Sequence, residues 1–185
     1  MPELFVPRYR GAEVTISPWS AQSLGVALYT TGQGAPASQN YVAVGIAVFI
    51  PFYVPTGFLV TKLGWGNGSA VAGSIDAGVY KSDGTRMVST GSTAQSGTST
   101  LQVVDVGDTF LPRGLYYLAM DSDTSGATQK VIAVLPAAGI PQALGLLEMA
   151  AAIPLATNAN PAVFAKYTRA FIPQVMAQGY RTVGP

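Results

Sequence analysis

The sequence predicts an all-β protein, an antiparallel β-sandwich with an extended N-terminal arm. Short segments rich in Val, Ile, Phe and Tyr recur along the chain, and turns containing Gly, Pro, Asn or Asp separate them. No segment maintains a helical period, and no internal repeat is evident. With 185 residues, the chain is within the range of one domain. We assign residues 1–15 to the arm and residues 16–185 to a single β-sandwich domain.

The predicted arm holds four of the nineteen charged residues and two prolines, which discourage regular structure. Its cluster of Arg8, Tyr9 and Arg10 is a candidate contact for attachment to a neighbouring protein. A frayed terminus is the alternative interpretation. The segment lacks the apolar core region of a signal peptide, so we do not interpret it as one.

A long apolar stretch follows the arm. Residues 14–61 contain no charged side chain, and residues 41–60 are long enough to span a membrane as a helix. Two prolines and a glycine divide this stretch, and it is rich in Val, Ile, Phe and Tyr. We therefore predict two buried strands, Val42–Tyr53 and Phe58–Trp65, which pair through a Pro-Thr-Gly turn, rather than a membrane helix.

A β-hairpin is predicted over Asp76–Ser89, where the sequence reads DAGVYKSDGTRMVS. An Asn-Gly turn at residues 66–69 precedes it, because this dipeptide accepts positive φ at little cost. Apolar residues alternate along the first strand of the hairpin, so Asp76 and Tyr80 share the opposite face. A Ser-Asp-Gly-Thr break at residues 82–85 forms its turn.

Further strands and loops follow at short intervals. Residues 89–100 contain eight Ser or Thr in twelve positions and are predicted as a surface loop or a short polar edge strand. Residues 101–106 carry apolar side chains on both faces, which predicts a central strand. The remaining β elements, in chain order, are a turn at 111–114, a strand at 115–120, a polar loop at 121–128, a strand at 130–135 and strands within 163–178 that Pro173 interrupts.

Residues 141–152, PQALGLLEMAAA, leave two alternatives open. A proline at a favourable first helical position and several helix-forming residues favour a short helix. Gly145 counts against a stable helix, so a strand is a close alternative.

Few side chains are charged. Only 10% of residues are Asp, Glu, Lys or Arg, against about 25% in a typical soluble protein, whereas 49% are hydrophobic. The net charge of +1 favours neither nucleic acid nor an anionic membrane as a partner. A two-layer β domain exposes half of its strand residues, and here those residues lack the charge that keeps most monomers soluble. We therefore expect a homo-oligomer, with a trimer as the expected state.

The sequence offers no credible set of catalytic residues. Histidine and cysteine are absent, which removes the commonest proton carrier, thiol nucleophiles and thiolate metal sites. The close acid pairs, Asp105 with Asp108 and Asp121 with Asp123, are predicted as solvated turn residues. Residues 121–126 space oxygen ligands as a calcium loop does, but they lack its downstream glutamate. We predict no enzyme activity, no cofactor and no metal site.

Trp65, Asn67 and Tyr80 form the candidate ligand site. Glycan-binding surfaces stack sugar rings on exposed Trp or Tyr, and Asn side chains bond to sugar hydroxyls. Trp65 also ends an alternating apolar strand, which favours a position in the core. Both interpretations stay open from the sequence.

A resemblance to β-sandwich proteins of tailed-phage virions is carried by two runs, SAVAGSIDAGVYKSDGTRMVSTGSTAQSGTSTLQVVDV and FLPRGLYYLAMDSD. That family has a similar order of strand, Asp-Gly turn, Ser/Thr-rich loop and a strand of the form L.PG.YYLA, which corresponds here to residues 111–119. Residues 146–149 and 170–173 also resemble the end of that family. The likeness covers roughly residues 41–178.

The resemblance implies a jelly-roll-like virion component and contains no catalytic signature. We therefore predict a structural protein of a bacteriophage virion, in the capsid decoration, the tail or a fibre, that binds other virion proteins and copies of itself. The alternative is a receptor module of the virion that binds host-surface glycans. Neither nucleic-acid binding nor membrane insertion is expected.

Overall fold

The protein is nearly all β in the computed structural model, which describes residues 14–16, 37–41, 43–133, 145–169 and 171–181. The strands are β1 (Val14–Ile16), β2 (Ala37–Asn40), β3 (Ile46–Val54), β4 (Phe58–Gly66), β5 (Ser74–Lys81), β6 (Arg86–Ser89), β7 (Thr93–Ala94), β8 (Leu101–Leu111), β9 (Gly114–Ser122), β10 (Thr128–Ala133), β11 (Leu147–Ala150), β12 (Ala165–Lys166), β13 (Phe171–Pro173) and β14 (Val175–Arg181). A 3-10 turn covers Pro161–Val163. Within the described ranges, no helix is long and apolar enough to cross a membrane.

The strands form three antiparallel sheets. The first has four strands in the order β1-β14-β4-β8, and the second has three in the order β13-β10-β2. The third has seven strands, in the order β12-β11-β3-β9-β5-β6, and β7 pairs with β5 beside β6. This arrangement confirms an all-β fold with antiparallel sheets, as expected for a β-sandwich.

The main core lies between the four-stranded and seven-stranded sheets. Alternate residues of the facing strands enter it, because successive side chains of a strand point to opposite faces. Its largest fully buried members from the two sheets are Ile50, Phe52, Phe58, Leu63, Trp65, Ile75, Leu111, Leu118 and Met120. Burial of these side chains is the main stabilising contribution to the fold.

β3 and β4 lie in different sheets, which corrects the predicted pairing of these two segments. β3 pairs with β9 and β11, and β4 pairs with β8 and β14. The turn at residues 55–57 therefore takes the chain from one sheet to the other. Ile50 of β3 and Leu63 of β4 belong to the same buried cluster, because both strands turn an apolar face toward one core.

β8 is the edge strand of the four-stranded sheet, whereas its sequence predicted a central strand. Its outward residues Leu101 and Val103 are 49% and 38% exposed, and Val104 and Val106 pack against the core. The apolar residues on its second face therefore form an uncovered surface and not a second buried face.

The predicted hairpin is confirmed, because β5 and β6 are antiparallel neighbours joined through residues 82–85. Residues 147–150 form β11, so this part of the segment left open between helix and strand is a strand. The predicted Asn-Gly turn is wrong. Asn67 instead continues from β4 and forms an antiparallel bridge with Gln129.

The end of the predicted N-terminal arm belongs to a sheet. Val14–Ile16 pair with residues 177–179 of β14 and form the second edge of the four-stranded sheet. The rest of the arm, with Arg8, Tyr9 and Arg10, lies outside the described residues.

The outer face of the seven-stranded sheet is covered by residues 151–164, which we call the cover segment. A second apolar cluster lies between it and the sheet, to which the strands contribute Ala47, Phe49, Tyr80 and Ala119 and the cover segment contributes Leu155 and Ala159. Main-chain hydrogen bonds attach the cover segment to the β5–β6 hairpin. The Arg86 N–H donates to the carbonyl of Thr157, and the Ala159 N–H donates to the carbonyl of Gly84, each at 2.9 Å.

Candidate functional site

An exposed apolar surface lies on the outer side of the four-stranded sheet. Tyr180 of β14 is opposite Leu59 of β4, which is in turn opposite Phe110 of β8. Directly opposed residues of antiparallel strands point to the same face, so the three side chains form a row across three strands. Leu101 and Val103 lie on the same side of β8. We call these five residues the apolar face.

The apolar face is open to solvent. Phe110 is 49% exposed and Tyr180 is 44% exposed, comparable to the exposure of Leu101 and Val103. Single exposed apolar residues are ordinary on a protein surface, but a contiguous group is typical of an interaction site. The face therefore has the character of a contact surface for another apolar surface.

One ion pair lies within the apolar face. Lys62 and Asp105 are opposite each other on β4 and β8, and Lys62 Nζ is 3.5 Å from Asp105 Oδ1. Among the described residues it is the only salt bridge. The Asp105 side chain is 87% exposed, so water screens the pair and it contributes about 0–1 kcal/mol at most. It places one positive and one negative position on this sheet face, and Gln178 of β14 lies opposite Lys62 on the same face.

The free edge of β8 is interrupted by a bulge. Between Asp105 and Thr109, β8 has three residues where β4 has only Thr61. Asp108 lies in this bulge and is exposed. Bulges and charged residues on an edge strand disfavour pairing with a strand of another chain. The outer face of this sheet, and not its β8 edge, is therefore the surface suited to association.

A second, smaller apolar site lies on the seven-stranded sheet. Tyr53 and Leu115 are opposite each other on β3 and β9, and they are 39% and 48% exposed. Arg113 covers part of it, because its Nε donates a hydrogen bond to the Tyr53 hydroxyl at 2.6 Å. This site has only two apolar residues with a polar partner beside them, so it is less suited to association than the apolar face.

The residues of the candidate glycan site are buried. Trp65 and Asn67 are 0% exposed and Tyr80 is 1% exposed. None of the three has an exposed surface on which a sugar ring could stack. The core position that alternation favoured for Trp65 is the one that it occupies.

Asn67 is instead the centre of a buried hydrogen-bond network at one end of the sandwich. Its Oδ1 accepts from Trp65 Nε1 at 3.0 Å and from Gln95 Nε2 at 3.2 Å. Its Nδ2 donates to the Ser96 carbonyl at 2.6 Å and to Gln102 Oε1 at 2.9 Å. The network fixes the segment after β4, the loop after β7 and the start of β8 to one another. The spacing of Trp65 and Asn67 therefore serves a buried structural hydrogen bond in this chain and not a ligand contact.

Tyr80 attaches the cover segment to the sheet. Its hydroxyl donates a hydrogen bond to the Ala156 carbonyl at 2.6 Å, and its ring meets Phe49 edge to face at 5.3 Å between centroids. Burial raises the pKa of Tyr80 to about 12. The side chain is therefore a neutral hydrogen-bond donor throughout the physiological pH range.

Asp121 is buried in β9, which corrects its prediction as a solvated loop residue. It lies directly opposite Asp76 of β5, and the exposed fractions are 0% for Asp76 and 1% for Asp121. Continuing the alternation of the Leu115–Met120 strand by one residue would have placed Asp121 on the face of Tyr117 and Ala119. The pair was not predicted from the sequence, because the predicted strand ended at Met120.

The other three members of the predicted acid pairs are solvated, as predicted. Asp105, Asp108 and Asp123 are exposed, and Asp123 Oδ1 accepts a hydrogen bond from the Ser74 N–H at 2.7 Å. No group of three or more acidic ligands that could hold a metal ion occurs within the described parts of the chain. The structure does not assemble the predicted calcium-loop spacing of residues 121–126 into such a group.

An open groove of about 720 Å³ lies beside the three-stranded sheet. Its lining is mainly polar and consists of Ser38, Gln39, Asn40, Tyr41, Ala43, Val44, Ser125, Arg169 and Phe171. Among the described residues that line the groove, Arg169 is the only charged one, so these residues form no acid–base pair.

No family model, curated protein or solved structure matches this chain.

Proposed function

We propose that this protein is a structural component of a bacteriophage virion that acts through homo-oligomeric packing. It would be part of the capsid decoration, the tail or a fibre, with a β-sandwich of jelly-roll type as the building block. In this proposal the N-terminal arm contacts neighbouring virion proteins. The resemblance of residues 41–178 to phage β-sandwich proteins supports the assignment to a virion.

The apolar face is the observation that carries the packing role. It places exposed aromatic side chains in register on an outer sheet face of a chain in which only 10% of residues are charged. Interface cores are enriched in aromatic residues and depleted of charge. A second copy offers the same kind of surface, and its Lys62 and Asp105 provide complementary charges for those of the first.

The energetics favour burial of the whole face. A fully buried aromatic residue removes about 150–250 Å² from water. At 49% and 44% exposure, Phe110 and Tyr180 therefore each leave roughly 100 Å² in contact with water. Covering both side chains contributes about 5 kcal/mol at about 25 cal/mol per Å². Association costs about 4–15 kcal/mol in lost freedom of motion. A permanent assembly therefore needs the remaining apolar face as well, with more than about 1,000 Å² buried in total.

Substitution of the two exposed aromatics tests the packing surface. The double variant Phe110→Ser with Tyr180→Ser is expected to weaken self-association at least tenfold, because roughly 200 Å² of apolar area no longer drives it. Light scattering during size-exclusion chromatography measures the mass of the eluting species. Leu115→Ser is the matched control, because Leu115 has a similar exposed fraction but lies on the seven-stranded sheet.

The control variant should keep the mass of the unmodified protein. If Leu115→Ser dissociates the assembly and the double variant does not, the packing surface is on the seven-stranded sheet and the assignment of the apolar face is wrong.

Mass spectrometry of purified phage particles tests the role in the virion. We expect this chain in particles in many copies, in constant proportion to the major capsid or tail proteins. Its absence from particles that are otherwise complete and infectious would contradict the proposed function, even if the purified protein self-associates.

A further inference from the structure

A pair of buried carboxyl groups lies beneath the cover segment. Because Asp76 of β5 is directly opposite Asp121 of β9, both side chains point to the outer face of the seven-stranded sheet. Their exposed fractions are 0% and 1%. Neighbouring carboxylates that are shielded from water resist simultaneous ionisation, since each charge is unfavourable for the other.

The two carboxyl groups have unequal hydrogen bonds. Asp76 accepts from the Leu155 N–H at 2.7 Å on Oδ2 and from Thr90 Oγ1 at 3.2 Å on Oδ1. Asp121 accepts from the Ser122 N–H at 2.7 Å on Oδ1, and its Oδ2 has no partner within the part of the chain that the structure describes. Burial raises the pKa of both carboxyl groups, but the donors around Asp76 and the charge of Arg86 oppose that shift, whereas the bare buried oxygen of Asp121 favours a proton.

We propose that Asp76 and Asp121 form a proton-binding site, which takes up one proton on Oδ2 of Asp121 in mildly acidic solution. Asp76 stays ionised and holds the Leu155 N–H. Whether the proton is bound determines the charge of the pair, and this charge affects how stably the cover segment packs against the sheet through Leu155. With the proton bound, the pair carries one negative charge, and without it the pair carries two charges in a site closed to water.

The charged and titratable groups around the pair come from several elements. Arg86 of β6 is the cation that acts on Asp76, and its guanidinium donates a hydrogen bond to the Leu155 carbonyl. Asp123 after β9 adds a negative charge near Asp121, and Tyr80 of β5 and Tyr41 also lie within electrostatic range of Asp121. The cover segment contains no charged side chain, so it cannot neutralise a second carboxylate.

The sign of the pH dependence follows from Asp121. Burial, opposed by the Ser122 N–H and reinforced by the charges of Asp76 and Asp123, raises the pKa of Asp121 from 3.8 to about 6. The folded protein therefore binds this proton more tightly than the unfolded chain does. Its contribution to stability is complete below about pH 4, decreases as the pH rises toward 6, and is lost above that value.

The variant Asp121→Asn tests the site because it resembles the protonated form. Its amide oxygen keeps the hydrogen bond from the Ser122 N–H, and its NH₂ group can donate to Asp76. We expect the melting temperature of the variant to exceed that of the unmodified protein at pH 7. The difference should widen by about 5 °C between pH 4 and pH 7. Protein concentration is kept fixed, because self-association also shifts melting.

Asp76→Asn is the comparison variant, and it should not be stabilised at pH 7. In this variant the NH₂ group faces either the Leu155 N–H or the Thr90 hydroxyl. Two donors that face each other form no hydrogen bond, so one of the two existing bonds is lost. Infrared spectroscopy of the unmodified protein provides a measurement that does not depend on a variant. A protonated-carboxyl band is expected in mild acid, and it should disappear as the pH rises through about 6.

Three outcomes would overturn the proposal. The melting difference between Asp121→Asn and the unmodified protein could be independent of pH, or the infrared band could be absent. Alternatively, calcium at pH 7 could raise the melting temperature of the unmodified protein but not that of Asp121→Asn. That last result would make the pair a cation site and not a proton site.

Discussion

Replacement of Trp65 by alanine is expected to lower the free energy of unfolding by about 3–5 kcal/mol. Trp65 is 0% exposed and lies in the main core between the two large sheets. The substitution removes the whole indole and leaves a cavity. It also removes one of the two donors from which Asn67 Oδ1 accepts hydrogen bonds. Chemical denaturation followed by circular dichroism measures the change.

A second variant separates packing from hydrogen bonding at this position. Trp65→Phe keeps most of the apolar volume but lacks the indole N–H, and Gln95 Nε2 still donates to Asn67. We expect this variant to cost about 1–2 kcal/mol, less than Trp65→Ala. If Trp65→Ala were nearly neutral, Trp65 would have to be at the surface, and its candidate role as a sugar-stacking ring would regain support.

Replacement of Gly84 by alanine is expected to destabilise the protein by about 2–4 kcal/mol. Gly84 has φ of +89°, a conformation that L side chains rarely adopt. A Cβ at this position would overlap the carbonyl oxygen of Ala159 in the cover segment. The substitution therefore strains the hairpin turn and also displaces the cover segment that the turn holds.

Gly91→Ala is the matched control for this prediction. Gly91 also has positive φ, +64°, but a Cβ there would have no neighbouring atom within 4 Å. We expect it to cost only about 1 kcal/mol from the backbone conformation. Binding of a hydrophobic dye reports exposure of Phe49 and Tyr80, and it should increase for Gly84→Ala only. Equal costs and equal dye binding for both variants would show that the cover segment does not depend on Gly84.

Local patterns in the sequence predicted several elements well. The alternation of apolar residues and the Asp-Gly dipeptide predicted the hairpin of β5 and β6, and the apolar run at residues 115–120 predicted β9. These signals depend on short-range physics, because side-chain direction reverses at each residue and glycine permits the turn.

Strand pairing could not be predicted from the same patterns. β3 and β4 are consecutive and apolar, yet they pair with later strands in different sheets. The apolar pattern of a strand indicates which of its residues face the core, but it does not indicate which other strand it pairs with. Partner choice depends on how all of the sheets close around one core.

The candidate site was predicted only in outline. The low charge indicated an uncovered apolar surface, but the alignment of Leu59, Phe110 and Tyr180 depends on the register of three strands from distant parts of the sequence. The same applies to the carboxyl pair, because Asp76 and Asp121 meet through pairing of β5 with β9. Turn geometry fixes register within a hairpin, but register between strands that are distant in the sequence depends on how the whole fold closes.

Sedimentation velocity of the unmodified protein, from micromolar to millimolar concentration, tests most directly whether the apolar face packs against copies of the chain. We expect one discrete species heavier than a single chain, with a trimer as the expected state. A single-chain mass that persists at millimolar concentration would contradict it, because the aligned aromatic side chains would then remain in water without driving association.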